Sequence, residues 1–383
     1  MKGLFLSGCD VVTPRSVLKG SSVFLESGCV RDVGGRSSSG SKEIVLSGCI
    51  LFPGFIDIHS HGAAGACVND GSRESLVIAG RFLAKNGITR WLPTIVPDEN
   101  EIYEKTVKAV NEIAGSSPSA TGSAQVAGIH YEGIFANEHN CGALRKEYFR
   151  EYSVGALSDL PVPESGARMM TLAPEVVNGI GLVRDLVAAA WIPSAGHTSA
   201  PVEVLEEAHE SGLRHLTHFF NAMEGIHHRD LGVAGWGLGK EGVSFDIIAD
   251  GHHVHPDLVA AVTRARGVEN VVLISDSISA TGLDDGEYEV WGKKIKTGDG
   301  RAMDDNGTIS GSVITMADAV NLMLSKGFEP HEVAAMASAN PAKLLGIEDT
   351  GSIEPGRRAD LTALRNGEVV FTAIGGEVVY NSL

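Results

Sequence analysis

Two histidines one residue apart, His59 and His61, close an apolar run that begins at Leu51. Side chains of a strand alternate sides with period 2, so residues i and i+2 share a face, about 7 Å apart at their Cα atoms. Two neutral imidazoles on one face can converge on one divalent metal. The stretch Pro53-Gly54-Phe55-Ile56-Asp57-Ile58-His59-Ser60-His61-Gly62 therefore reads as a buried strand that delivers a ligand pair at its C-terminal end. Similar residues close other apolar runs. Glu132 ends Gln125–Glu132, His197 ends Ile192–His197, His218 lies in His215–Phe220, and Asp276 ends Val271–Asp276; the second and fourth runs offer Thr94 and Glu175.

Imidazole and carboxylate donors suit zinc foremost, with iron(II), manganese or cobalt as alternatives. No cysteine joins the set, so the site reads as open to hydrolysis rather than closed and structural. A metal held by Glu132, His197 and His218 would lower the pKa of a bound water from about 15.7 toward about 7. Asp276 would take the proton and pass it to a leaving amine. The expected chemistry is amide or ester hydrolysis. His59 and His61 could complete a second metal site with Glu132 bridging, so one or two divalent ions are expected.

Positioning these groups requires strands that all end at one place. Eight apolar runs recur between residues 51 and 276, with helical stretches such as Val202–Ala208 and Asp257–Val262 between them. Eight β/α units in this length predict an α/β fold, a (β/α)8 TIM barrel with its site at the C-terminal strand ends. A doubly wound open sheet is the alternative, but no glycine-rich phosphate turn follows the first strand. Both termini are β-rich: 3–6, 22–25 and 43–46 at one end, 360–364, 368–372 and 377–380 at the other. They predict a small β-sandwich domain from residues 1–52 plus 346–383, beside a catalytic barrel of 53–345.

Composition narrows the class. The chain has 383 residues and a formal net charge of −17, which argues against a nucleic-acid footprint. Its five cysteines are odd in number and form no Cys-x-x-Cys pair, which suits a reducing compartment. No signal peptide is read, and no apolar run approaches the ~18 to 20 residues of a membrane span. A cytoplasmic location is expected, with no membrane or nucleic-acid partner.

The strand-end array resembles the amidohydrolase superfamily, as do Ser338–Gly346 and Gly351–Leu361 in the tail. More narrowly, five segments resemble the N-acetylglucosamine-6-phosphate deacetylase family: His130–Gly133, Gly196–Thr198, Thr217–Met223, Ala249–Val254, and Gly307–Ser312 before Thr315-Met316. The resemblance covers nearly the whole chain. It implies hydrolysis of the acetamide of an amino sugar 6-phosphate, N-acetylglucosamine 6-phosphate giving glucosamine 6-phosphate and acetate. It implies that Glu132, His197 and His218 hold the main metal and that Asp276 is the acid/base. Ala143, Asn221, Ala222, His253, Ile309, Ser310 and Gly311 would contact the substrate. Arg229 would reach the phosphate in a neighbouring subunit of a homodimer. His227 and His228 read as loop histidines, and His252 and His255 as surface or helix-start residues.

Two positions depart from the family's pattern. Leu144 follows Gly142-Ala143 where the family has a histidine that holds the acyl oxygen, and Ile134 follows Gly133 where it has proline. His139 is the nearest histidine in that loop. Losing one donor of the oxyanion type costs about 10² to 10³ in rate, so acyl or sugar preference is open here, with galactosamine or unphosphorylated substrates as variants. A cyclic-amide hydrolase of the dihydroorotase or hydantoinase kind would bridge two metals with a carboxylated lysine, where this chain has Glu132. A barrel retained only as a scaffold would have lost some of the six ligand-type residues.

Overall fold

The run that opens the chemistry is two strands, not one. Pro53-Gly54 breaks it, because proline cannot donate to a ladder and glycine bends freely. The first half, Ile50–Pro53, pairs antiparallel with Leu361–Arg365 in the terminal sheet. The second half, Phe55–Ser60 (β1), is buried throughout and starts the barrel. A computed structural model describes residues 3–35 and 40–383.

The barrel continues through β2 (Ile88–Ile95), β3 (Gly128–Phe135), β4 (Ala167–Leu172), β5 (Ile192–Ala195), β6 (His215–Leu216), β7 (Ser244–Ile248) and β8 (Val271–Ile274). Every ladder between neighbours is parallel, in the order 1 to 8. The helix Arg73–Lys85 shows how the crossovers form. Ser72 caps it by accepting the Ser75 N–H at 3.1 Å, and Leu76, Ala79, Gly80 and Leu83 bury one stripe at helical spacing. Between β3 and β4 no α-helix forms among the described residues; short 3₁₀ turns at Glu138–Asn140, Lys146–Tyr148 and Ala156–Asp159 cross instead. That irregular loop leaves Asn140 to Leu144 free to fold over the barrel mouth.

The barrel closes where the chemistry lies. Asp276 N–H donates to His59 O at 2.9 Å, His61 N–H to Ser277 O at 2.7 Å, and the Ser60 and Ser277 hydroxyls meet at 2.8 Å. Beneath them the buried Asp57 accepts the Ser275 hydroxyl at 2.5 Å and the His59 N–H at 3.2 Å. Burial pushes its carboxyl up to about 6.

Among the described residues, eight strands from the two ends of the chain make one mixed sheet with its own core, including Leu6, Val23, Leu51, Leu361 and Phe371. Asp360 ties it to the barrel: its buried carboxylate accepts from Arg90 on β2 at 3.3 Å, Arg358 at 3.0 Å, Thr350 at 3.0 Å and the Gly375 N–H at 2.7 Å. After β8 an antiparallel three-stranded sheet is inserted, β9 (Glu287–Val290), β10 (Lys293–Gly298) and β11 (Arg301–Asp304). The five cysteines are all unpaired. No helix among the described residues is long and apolar enough to cross a membrane.

Candidate active site

Each strand-end residue is aimed inward by its backbone. His59 is on β1 and His61 follows it, with rings on one side as the period of two requires. His197, His218 and Asp276 follow β5, β6 and β8 with φ of 50°, 32° and 51°. Non-glycine residues avoid that left-handed region unless their surroundings hold them there. For His218 the buried Asp246 on β7 does so by accepting its backbone N–H, while also taking the His215 Nε2–H at 3.1 Å. Glu132 comes from inside β3, whose bulge after it turns the chain toward the loop.

The six side chains meet at one point. Glu132 Oε1 lies 3.1 Å from Nε2 of His197 and of His218, and 3.3 Å from Nε2 of His59. Its Oε2 lies 3.3 Å from His61 Nε2. Asp276 Oδ1 lies 3.2 Å from His61 Nε2 and 3.5 Å from His59 Nε2. Two triads result, Glu132–His197–His218 and His59–His61–Asp276, joined through the Glu132 carboxylate.

Hydrogen bonding decides which ring nitrogens are bare. His61 Nδ1 sits 3.1 Å from Thr94 O, His197 Nδ1 2.8 Å from Asn140 O, and His218 Nδ1 3.2 Å from Asn221 O. A carbonyl only accepts, so each Nδ1 carries the proton and each Nε2 presents a lone pair. The bare Nε2 atoms of His197 and His218 then face each other at 3.1 Å, and that of His61 lies 3.2 Å from His59 Nε2. Facing lone pairs beside two carboxylates call for a cation, and imidazole with carboxylate fits a divalent metal.

Protons take up that role when no metal does. Burial opposes charge on His61, but Asp276 and Glu132 outweigh it and raise the imidazole to about 10. Burial opposes charge on His218 too, and Glu132 raises it to about 9. Burial likewise opposes the carboxylates, yet His59 holds Glu132 well below its ordinary range, and His59 with His61 holds Asp276 below its own.

The centre opens into a cavity of about 200 Å³. Ala143, Asn221, Ala222, His253, Ile309 and Gly311 line it. His253 is oriented by Asp250, which lies 2.6 Å from its Nδ1 and accepts the N–H groups of His252 and His253. Ser310 stands behind the wall, fully buried, its N–H given to Ala302 O at 2.9 Å. Arg229 is exposed, its guanidinium 2.9 Å from His228 Nε2, and does not line the cavity of its own chain. His139 is exposed and does not line it either, so it does not take the place of the histidine that Leu144 replaces. Leu144 is buried against Gly133. Thr94 and Glu175 act as braces. Thr94 accepts the Ser60 N–H at 3.1 Å, and Glu175 holds Asn137 and Thr198 on either side of His197. His255 caps the helix Pro256–Arg266, and His252 accepts from Arg301 at 3.0 Å.

Sequence reasoning missed Trp291, which lines the cavity from the β9–β10 turn with its ring centroid 5.0 Å from that of His61. It also missed the buried supports His130, His215 and Asp246. A polar residue inside an apolar strand run, as in Phe245-Asp246-Ile247, is the signal that could have found the last of these.

Six ligand-type side chains converging at the C-terminal mouth of a parallel barrel define a metal-dependent hydrolase. The chain belongs to the amidohydrolase family, whose profile matches residues 50–379. The N-acetylglucosamine-6-phosphate deacetylase of Bacillus subtilis (strain 168) is 33% identical over 388 residues, covering 100% of this chain and 98% of that one. The N-acetylgalactosamine-6-phosphate deacetylase of Escherichia coli O157:H7 is 34% identical over 321 residues, 83% of this chain and 84% of its own. The crystal structure of N-acetylglucosamine-6-phosphate deacetylase from Pasteurella multocida superposes with a TM-score of 0.91 at 29% identity, over 99% and 100% of the two chains.

Proposed function

We propose that the protein removes the acetyl group from an N-acetyl amino sugar 6-phosphate, N-acetylglucosamine 6-phosphate before its galactosamine isomer. The observation that carries this is the Glu132 carboxylate shared by two ligand triads, with Asp276 beside it at the mouth. The two deacetylase relatives, matching over 100% and 83% of this chain, support it.

Glu132, His197 and His218 would hold the main ion, zinc in our reading, and His59 and His61 a second. A bound divalent ion supplies Lewis acidity, acidifying water and polarising the acyl carbonyl. Asp276, ionised at neutral pH, takes the proton of the attacking water and returns it to the amide nitrogen as the C–N bond breaks. Asn221, Ala222 and His253 receive the sugar phosphate, with Ala143, Ile309 and Gly311 completing the substrate contacts, while the buried Ser310 backs the wall instead of touching substrate. Arg229 grips the phosphate in the neighbouring subunit of a homodimer, as a guanidinium can do bidentately. A rise in KM for phosphorylated but not for free sugar in Arg229→Ala is the test of that contact. We assign catalysis to the unit 53–345, support to 1–52 with 346–383, and the whole to the cytoplasm.

Glu132 in the bridging position favours this reading over a cyclic-amide hydrolase built on a carboxylated lysine. A panel of N-acetylglucosamine 6-phosphate, N-acetylgalactosamine 6-phosphate and the free sugars, with metal-loaded protein, decides the substrate. Turnover of neither phosphate would sink the proposal; preference for the free sugars would remove the phosphate from it.

A further inference from the structure

Trp291 and Gly292 are the two loop residues between β9 and β10, with Val290 paired to Lys293 across them. Their φ values are 51° and 73°. A two-residue hairpin loop with both residues left-handed is a type I′ turn, which strongly favours Asn, Asp or Gly at its first position. A tryptophan there is a genuine outlier, held in a conformation that bulky side chains avoid. Such strain persists where the surroundings over-determine it, and it clusters at functional sites.

The strained residue is placed against the chemistry. The Trp291 ring packs edge-on to His61, whose Nε2 is 3.2 Å from the Asp276 carboxylate. Two residues on, Lys293 Nζ donates to Ala143 O at 2.8 Å and ties the hairpin to the β3–β4 loop. The next residue of that loop, Leu144, lies against Gly133, which follows Glu132. Trp291 and Leu144 both line the cavity, the first against His61 after β1 and the second against Gly133 on β3. The polar lining residues Asn221 and His253 come after β6 and β7, across the mouth.

Resting on the deacetylase reading, we propose that Trp291, together with Leu144 of the same cavity lining, is the specificity-determining wall for the acyl group. The scissile carbonyl must sit at the metal-ligand centre. The sugar phosphate extends toward Asn221 and His253, so the acyl chain extends toward the indole. The wall offers carbon surface close to the centre, which accepts a methyl group and rejects a longer chain. The unfavourable turn conformation is retained because an indole at that position reaches His61, where Asn or Gly would leave open space.

The test compares kcat/KM for N-acetyl-, N-propionyl- and N-butyrylglucosamine 6-phosphate in the metal-loaded full-length protein and in Trp291→Asn. Asn suits the turn, so the melting temperature should hold or rise. One methylene in an apolar pocket is worth about tenfold or more in discrimination, so the butyryl-to-acetyl ratio should rise at least about tenfold. Leu144→Ala should move the ratio in the same direction, and it carries the test if Trp291→Asn does not fold. A ratio within about twofold of the unsubstituted protein in both variants would overturn the inference, as would an unsubstituted protein that already takes the butyryl substrate equally well. Turnover of no N-acyl sugar phosphate at all would sink the deacetylase reading itself, whereas turnover with an unmoved ratio sinks only this wall.

Discussion

His197 and His218 face each other through bare nitrogens, their Nε2 atoms 3.1 Å apart and both Nδ1–H groups committed to backbone carbonyls. Two lone pairs at that distance repel unless a positive charge lies with them, and Glu132 at 3.1 Å from each completes a donor set that suits a divalent ion. His197→Ala should therefore lose the ion of this triad. Elemental analysis of the purified variant checks it, and full metal content would remove His197 from the ligand set. In the unsubstituted protein, added metal should raise the melting temperature after chelation, because an ion that binds only the folded state stabilises it by mass action.

Metal uptake should release protons. Without an ion, His61 and His218 are raised from 6.5 to about 10 and about 9, so both are mostly cationic at pH 7 to 8. The sign follows directly. The protonated rings stabilise the metal-free fold fully below pH 6.5, and that contribution is lost as pH rises through about 9 and 10. A metal needs the neutral rings, so its apparent affinity should rise with pH up to that range. Calorimetry in buffers of different ionisation enthalpy would detect the released protons, and heats independent of buffer at pH 7.5 would contradict the assignment.

Asp276→Asn keeps the shape of the side chain and removes the base. Turnover should fall by about 10² to 10⁴, while the Glu132–His197–His218 ion stays. Any metal lost should come from the His59–His61 pair, which Asp276 faces at 3.5 and 3.2 Å. Substantial residual turnover in a fully loaded variant would end the acid/base role.

Asp360→Ala should destabilise the fold without touching the centre. It leaves the mostly buried Arg90 with only the exposed Asp349 as an anionic partner and frees the Gly375 N–H. Breaking a buried pair by removing one partner costs about 3 to 5 kcal/mol. Denaturant unfolding measures it, and a loss below about 1 kcal/mol would mean that Asp360 does not lock the terminal sheet to the barrel.

Much of this was legible from residue types alone. Each barrel strand is an apolar run, and burial on both faces is what such runs encode. The residues at their C-terminal ends meet because a closed barrel brings eight ends together. What the pattern hides is conformation. Nothing in the runs around His197, His218 or Asp276 shows that these residues turn left-handed, since the cause lies in distant partners such as Asp246. The Pro53-Gly54 step was visible, but its role as the point where one chain passes between two sheets depends on Leu361 pairing with Pro53 from the far end of the sequence. The β9–β11 insertion was unread because its strands are short and largely charged, with Glu287, Glu289, Lys294 and Lys296 exposed. Trp291 is hidden with it, since a tryptophan before glycine signals a turn far less than asparagine does.

The central claim is metal-dependent removal of an acetyl group from an amino sugar 6-phosphate. The direct measurement follows acetate and free amine together from N-acetylglucosamine 6-phosphate, before chelation, after it, and after zinc is restored. The account predicts equal amounts of both products, loss of turnover on chelation and recovery with the metal. Release that persists through full chelation, or no release from the metal-loaded protein, would contradict it.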